Sequence, residues 1–153
     1  MKRIAIDSNI ADNILDEPGL AGEIGEAAGG SRLIFITNHV VRDELARTPN
    51  VGRRERLLAV YDALPKRDVP THGGVSGISK WGGFRWGDPS HLKTSGRGAL
   101  RDALIGMTAA GEADVLVTED DDLKAKVRER VPILEVWSFQ GLVAFVRQVP
   151  PNP

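Results

Sequence analysis

The chain has 153 residues, a formal net charge of −1 and no cysteine. This length and composition indicate one domain with a single core, and the absence of cysteine excludes disulfides and thiolate metal ligands. The near-zero net charge excludes nucleic-acid binding through overall positive charge, so that any such contact must be local. No stretch resembles a signal peptide or a membrane span, and we expect a cytoplasmic protein without membrane contact.

Apolar runs alternate with segments of helical periodicity, which predicts an α/β fold with helices on both faces of a parallel sheet. In chain order we predict a strand at 2–7, short helices to 29, a strand at 32–37, helices at 39–47 and 52–64, a helix at 97–110, a strand at 114–118, a helix at 120–129, a strand at 133–136 and a helix at 139–147. The predicted domain is 1–147, and 148–153 form a flexible tail.

A stretch rich in glycine and tryptophan interrupts this alternation. We assign residues 65–96 to an insertion or long loop, which contains Trp81, Phe84 and Trp86. A loop of this length in a compact domain is usually functional, disordered or an interaction element. Its aromatic side chains can stack on unpaired bases, pack beneath their own loop or bind a partner, and these alternatives stay open.

Asp7 closes the first predicted strand and is followed by Ser8 and Asn9 at the start of a helix. Its carboxylate is therefore expected at the C-terminal edge of a parallel sheet, where open α/β sheets bind ligands. The alternative is that Asp7 or Ser8 only caps the helix, since both residue types are preferred N-caps.

Glu44 lies on the apolar side of a predicted helix that Asn38 caps. Steps of about 100° per residue place Glu44 between Val40 and Val41. A carboxylate that faces the core is costly, so protonation, an arginine or a metal must neutralise it. A plain salt bridge and a metal ligand are equal alternatives here.

Asp102 lies near the start of a helix that is apolar or small on two faces, with Ile105 and Ala109 at helical spacing from it. We therefore expect a buried helix with a carboxylate at one of its faces. The alternative is a solvent-facing acid that the helix dipole favours.

Three consecutive acids follow a strand in the segment TEDDDL. The first turn of a helix favours acids in any case, so the run alone is weak evidence. Asp120 is expected closest to the sheet edge, as a metal ligand, with Asp122 as an auxiliary or water-mediated ligand. Thr118 is expected to orient the turn through its hydroxyl.

These acids are far apart in sequence but are predicted to meet. Asp7, Asp102 and Asp120 belong at or near one edge of the sheet. Glu44 belongs to the helix that follows a neighbouring strand. Carboxylates that cluster in this way repel one another and favour a divalent cation, and Mg²⁺ or Mn²⁺ suits oxygen ligands.

Four motifs in order, IAIDSNI, VVRDEL, RDALIGMTAAGEADVLVT and TEDDDL, resemble those of PIN domain ribonucleases, a family that includes the VapC-type toxins of type II toxin–antitoxin pairs. The resemblance extends from Met1 to the helix at 139–147. It implies a three-layer α/β/α fold with a central parallel sheet of four or five strands. The chain departs from the family pattern at Ser8, where threonine is commoner, and in the long tryptophan-containing stretch, which leaves substrate and partner open.

The resemblance also implies a site and an activity. Its implied catalytic residues and metal ligands are Asp7, Glu44, Asp102 and Asp120, with Asp122 often contributing a further ligand and with Asn9 and Thr118 as polar supports. One or two Mg²⁺ or Mn²⁺ ions would then serve hydrolysis of RNA phosphodiester bonds. The implied partners are an RNA substrate, an antitoxin protein and a second copy of the chain in a homodimer.

RNA phosphates that approach an acidic cluster require a positive rim. The candidate residues are Arg53, Arg54 and Arg56, or alternatively Arg85, Lys93, Arg97 and Arg101, with Trp81 and Trp86 as candidates for base stacking. For each cation, a solvated side chain is the favoured alternative, and Arg101 can equally well pair with an acid.

Two other functions remain open at this point. A non-catalytic PIN-like module would bind RNA or protein through the aromatic loop and the apolar last helix, LVAFV. A phosphatase with Asp7 as nucleophile is disfavoured, because the haloacid-dehalogenase type requires a second acid two residues on, where this chain has Asn9.

Overall fold

The computed structural model describes the backbone of residues 1–72, 84–85 and 99–148, and the side chains of 1–71 and 103–148. The described strands are Lys2–Ile6 (β1), Leu33–Thr37 (β2), Lys66–Asp68 (β3), Thr71–His72 (β4), Phe84–Arg85 (β5), Val115–Val117 (β6) and Glu135–Trp137 (β7). The described helices are Ser8–Asp16 (α1), Leu20–Gly29 (α2), His39–Leu45 (α3), Val51–Ala63 (α4), Ala99–Glu112 (α5), Asp121–Arg130 (α6) and Phe139–Arg147 (α7).

Five strands form one parallel sheet in the order β3-β2-β1-β6-β7, and β4 pairs with β5 in a separate two-stranded sheet. In the central sheet Ile4 lies opposite Phe35 on one side and Val115 on the other. The strands are apolar throughout their middle because helices cover both faces, and Ile4, Phe35 and Val115 are fully buried. The predicted α/β class and parallel sheet are confirmed, with five strands.

The order of the strands reverses direction at β1. The chain moves from β1 to β2 and β3 on one side, then returns to place β6 and β7 on the other side. Right-handed crossovers therefore put α1, α2 and α4 on one face and α5 and α6 on the opposite face. Contacts agree, because α5 packs on β1, β2 and β6, whereas α7 packs on α2. The point of reversal, between β1 and β6, is where such sheets bind ligands.

The strand β3 lies within the stretch that the sequence assigned to an insertion. Lys66–Asp68 pair in parallel with β2, and the amide of Phe35 donates to the carbonyl of Pro65. The pattern gave no signal for this strand because it is short, polar and at the sheet edge, where Arg67 and Asp68 are exposed. Residues 66–68 belong to the sheet.

The apolar last helix is part of the core. In α7, Leu142, Val143 and Val146 are buried, while Phe145 is half-buried and Ala144 is exposed. Most of the surface that the non-catalytic hypothesis assigned to partner binding is therefore used inside the domain. Within the described ranges, no helix is long and apolar enough to cross a membrane.

Asn38 follows the end of β2 and connects it to α5, which lies on one face of the sheet. Its side-chain oxygen accepts from the amide of Val40 and caps α3, and its Nδ2 donates to the hydroxyl of Thr108 on α5 at 3.0 Å. Asn38 and Thr108 are both buried, so their hydrogen bond is shielded from water.

We expect Asn38→Ala to lower the free energy of unfolding by about 2 to 3 kcal/mol, as the sum of a lost helix cap and a lost buried hydrogen bond. Asn50→Ala is the matched control, because Asn50 caps α4 in the same way but is exposed. It should cost about 1 kcal/mol. Urea unfolding of both variants measures the difference, and equal losses would show that the bond to Thr108 contributes nothing.

Candidate metal centre

Asp7 lies at the reversal point of the sheet, immediately after β1, and only 4% of it is exposed. Its Oδ1 accepts from the amide of Asn9 at 2.8 Å and caps α1. Its Oδ2 accepts from the hydroxyl of Thr118 at 2.6 Å. The carboxylate therefore caps a helix with one oxygen and contacts the end of the neighbouring strand β6 with the other.

Thr118 ties the ends of three strands together. Its hydroxyl donates to Asp7 and accepts from the amide of Asp120 at 3.1 Å. Its own amide donates to the carbonyl of Trp137 at the end of β7. The side chain is fully buried, and its hydroxyl orients the turn as the sequence predicted.

Asp120 begins α6 and is half-buried. Its Oδ1 accepts from the amide of Leu123 at 2.9 Å, which makes Asp120 the N-cap. Its Oδ2 accepts no hydrogen bond from a described residue. One oxygen thus fixes the side chain and the other is available to a ligand.

The pKa of the Asp7 carboxyl is raised above its usual value, mainly by burial. Hydrogen bonds from Thr118 and from the amide of Asn9 lower it, while the negative charges of Asp120 and Glu119 raise it further. Among the described lysines and arginines, none forms an ion pair with Asp7 or Asp120. Within the described residues, the ionised form of Asp7 therefore has no adjacent positive charge, and a bound cation would supply one.

Asp102 lies in the first turn of α5, and its side chain is outside the described residues. Its place along the helix follows from Thr108, which contacts Asn38 at the C-terminal edge of the sheet. Asp102 lies six residues closer to the start of α5 than Thr108. At 1.5 Å per residue, this places it about 9 Å further along the helix axis than the contact with Asn38. The helix is covered on two faces as predicted, since residues 103–109 are buried except for half-buried Met107.

Glu44 is half-buried on α3, the helix that follows β2. Val40 and Val41 on the same side are buried, whereas Arg42 and Asp43 are exposed, as the periodicity predicted. Helix α3 packs against α1 and α5. The choice between a salt bridge and a metal ligand for Glu44 stays a prediction.

The described side chains alone do not complete a metal site. Among them, no three His, Asp or Glu residues are close enough to bind one ion together. The structure brings together Asp7, Thr118 and Asp120. A metal site here would need a further ligand, for which Asp102 and Glu44 stay predictions. Asp122 is exposed in the first turn of α6, and its auxiliary role stays a prediction.

Two residues contribute differently from what the sequence predicted. Asn9 supports Asp7 through its backbone amide, while its side chain is exposed. Glu119 was not predicted, yet its charge acts on Asp7, and its carboxylate accepts from the amide of Phe139 at the start of α7. Sequence gave no signal for Glu119, because its partner lies 20 residues away at another strand end.

The predicted positive rim is only partly described. Arg53 is not available to a phosphate, because its guanidinium bonds Asp12 at 2.8 Å and Asp16 at 2.9 Å and joins α4 to α1. Arg54 donates to the carbonyl of Thr48. Arg56 is exposed. The side chains of the remaining candidates lie outside the described residues: Arg85, Lys93, Arg97, Arg101, Trp81 and Trp86.

No protein-family model and no curated protein matches this chain.

We expect Asp120→Asn to lower the pKa of Asp7, because the charge of Asp120 raises it and asparagine keeps the helix cap. Asp121→Asn is the matched control, since the Asp121 side chain is 95% exposed and points into solvent beside Lys124. Carboxyl NMR titration of Asp7 in the three proteins measures the effect. An unchanged value in Asp120→Asn would contradict the proximity of the two acids.

Proposed function

We propose that the chain is a PIN-like, metal-dependent endoribonuclease that hydrolyses RNA phosphodiester bonds and serves as the toxin of a toxin–antitoxin module. The observation that supports this most is the buried Asp7 at the reversal point of the parallel sheet, linked through the Thr118 hydroxyl to the turn that carries Asp120. RNA as substrate, an antitoxin as partner, homodimerisation and a cytoplasmic location rest on the sequence motifs.

The donor set fits Mg²⁺ or Mn²⁺. Asp7 and Asp120 offer hard oxygen ligands, and the chain has no cysteine to favour a softer metal. Asp102 and Glu44 would complete the set, with Asp122 through a water. When bound, such an ion lowers the pKa of a coordinated water and offsets charge on the phosphate.

The chain's own residues supply the positioning. Thr118 fixes Oδ2 of Asp7 by a short hydrogen bond, so that the carboxylate does not have to reorganise when substrate arrives. Helix α6 begins at Asp120, and its N-terminal amides favour negative charge at this edge of the sheet. The acids are thereby held in one orientation around the place where a phosphate would bind.

A purely structural role explains Asp7 poorly. Asparagine or serine would cap α1 equally well without a buried charge. An aspartate here makes ionisation unfavourable, which raises its pKa and opposes folding at neutral pH. This cost is offset when a cation binds, and we therefore favour catalysis over the non-catalytic binding module.

We expect Asp7→Asn, Asp102→Asn and Asp120→Asn each to lower Mn²⁺-dependent RNA cleavage by more than about 100-fold, since loss of a mere supporting contact already costs 10- to 100-fold. Cleavage of a fluorogenic single-stranded RNA measures this, with EDTA as the metal-free reference. Asp121→Asn is the control and should keep full activity, because its side chain is exposed. Equal activity in all four variants would exclude the proposed ligand set.

We also expect Mn²⁺ to raise the Tm of the native chain at pH 7.5, by linkage of binding to folding, and to raise that of Asp7→Asn less. The direction of the pH dependence follows from the raised pKa of Asp7. The stability that protonated Asp7 contributes is complete below a pH of about 3.8 and is lost as the pH rises through the folded-state pKa. Without metal, Asp7→Asn should therefore melt no lower than the native chain at pH 7.5. Differential scanning fluorimetry tests both statements, and an equal Mn²⁺ shift in both proteins would contradict them.

A further inference from the structure

A second surface, distinct from the acids, lies where the sheet ends at β7. A groove of about 500 Å³ runs between α6 and α7 across the outer edge of this strand. Its volume is within the range of ligand-binding clefts. Lys124 and Arg128 line it from α6, Val136 and Trp137 from β7, and Ala144 and Phe145 from α7.

The outer edge of β7 has no partner strand in the described sheet. The amide of Glu135 and the carbonyl of Trp137 both hydrogen-bond toward β6. Since backbone groups alternate between the two sides of a strand, the amide and carbonyl of Val136 point outward into the groove. An open edge of this kind is a template for pairing with another extended chain.

The two walls of the groove differ in chemistry. The α7 wall is apolar, and the Phe145 ring packs against Trp137 with centroids 5.2 Å apart. The α6 wall carries two cations: Lys124 pairs with Glu119 and Asp121, whereas Arg128 is exposed and forms no ion pair with a described residue. No acidic side chain lines the groove in the part of the chain that the structure describes.

We propose that this groove binds an extended segment of a partner protein, which pairs with the backbone of Val136, places an apolar side chain against Phe145 and directs an acidic side chain to Arg128. This β-strand addition uses main-chain hydrogen bonds for affinity and the two walls for specificity. The exposed Arg128, which has no ion-pair partner among the described residues, sets the sign of the partner, which is acidic.

Other occupants fit less well. A second copy of the chain, paired across a two-fold axis, would bring Arg128 and Lys124 toward their own copies and add repulsion. The chain's own last residues include Pro150, Pro151 and Pro153, which have no amide to donate to an edge strand. RNA would use the cations and rings but has no need of the outward amide and carbonyl of Val136.

The test is selection from a random twelve-residue peptide library, displayed on phage, against the full chain. We expect enriched peptides in which acidic residues alternate with apolar, β-branched ones. A synthetic peptide of the enriched sequence is then measured by fluorescence polarisation. Arg128→Glu should weaken its binding at least about tenfold, the size expected for one charge-assisted hydrogen bond. Val136→Pro, which removes the outward amide at an edge where proline is tolerated, should weaken it as well.

Two matched controls keep the result specific. Arg130→Glu changes the same charge on the same helix outside the groove, and Asp7→Asn changes the metal centre, so that neither should alter peptide binding. The proposal is wrong if no peptide is enriched, if Arg128→Glu binds the peptide unchanged, or if Val136→Pro does. It is also wrong if Arg128→Glu weakens the binding of a labelled twelve-nucleotide RNA but not the binding of any peptide. A change in the oligomeric state of Arg128→Glu, measured by sedimentation, would likewise contradict it.

Discussion

The hydrogen bond from the Thr118 hydroxyl to the Asp7 carboxylate connects the local structures on which the candidate site depends. It links β1 to β6 at the point where the sheet order reverses, and the same hydroxyl accepts from the amide of Asp120 at the start of α6. Because all these groups are buried or half-buried, the bond acts in a low dielectric and has few competitors. The acid at one strand end and the acid at the next are thereby held in a fixed relation.

This fixed relation has an energetic cost that the fold does not offset by itself. Burial and the charges of Asp120 and Glu119 all disfavour ionised Asp7, and only two hydrogen bonds act in the other direction. Elsewhere the domain neutralises its acids directly, as where Arg53 joins Asp12 and Asp16. No described lysine or arginine pairs with Asp7, and this contrast with the paired acids of α1 supports the proposed cation site.

The sequence predicted the elements that periodicity encodes and missed those that depend on distant partners. The strands around Ile4, Phe35 and Val115 were predicted because they are buried on both faces and read as apolar runs. The edge strand at Lys66 has no such pattern, and its place in the sheet comes from pairing with β2. In the site, Asp7 was predicted from its position after a strand. The ion pairs of Arg53 had no signal in the sequence, because its partners lie on α1 and are brought close only by the fold.

Helix α6 separates the two surfaces by charge. Its first turn carries Asp121 and Asp122 beside the metal centre, and its last turn carries Arg128 and Arg130, an arrangement that the helix dipole stabilises at both ends. The strand β7 connects the same two surfaces, since its inner edge bonds Thr118 and its outer edge is open. Asp120 follows β6, the strand next to β7, so that the acidic site and the groove with its exposed Arg128 lie at neighbouring strands of the sheet.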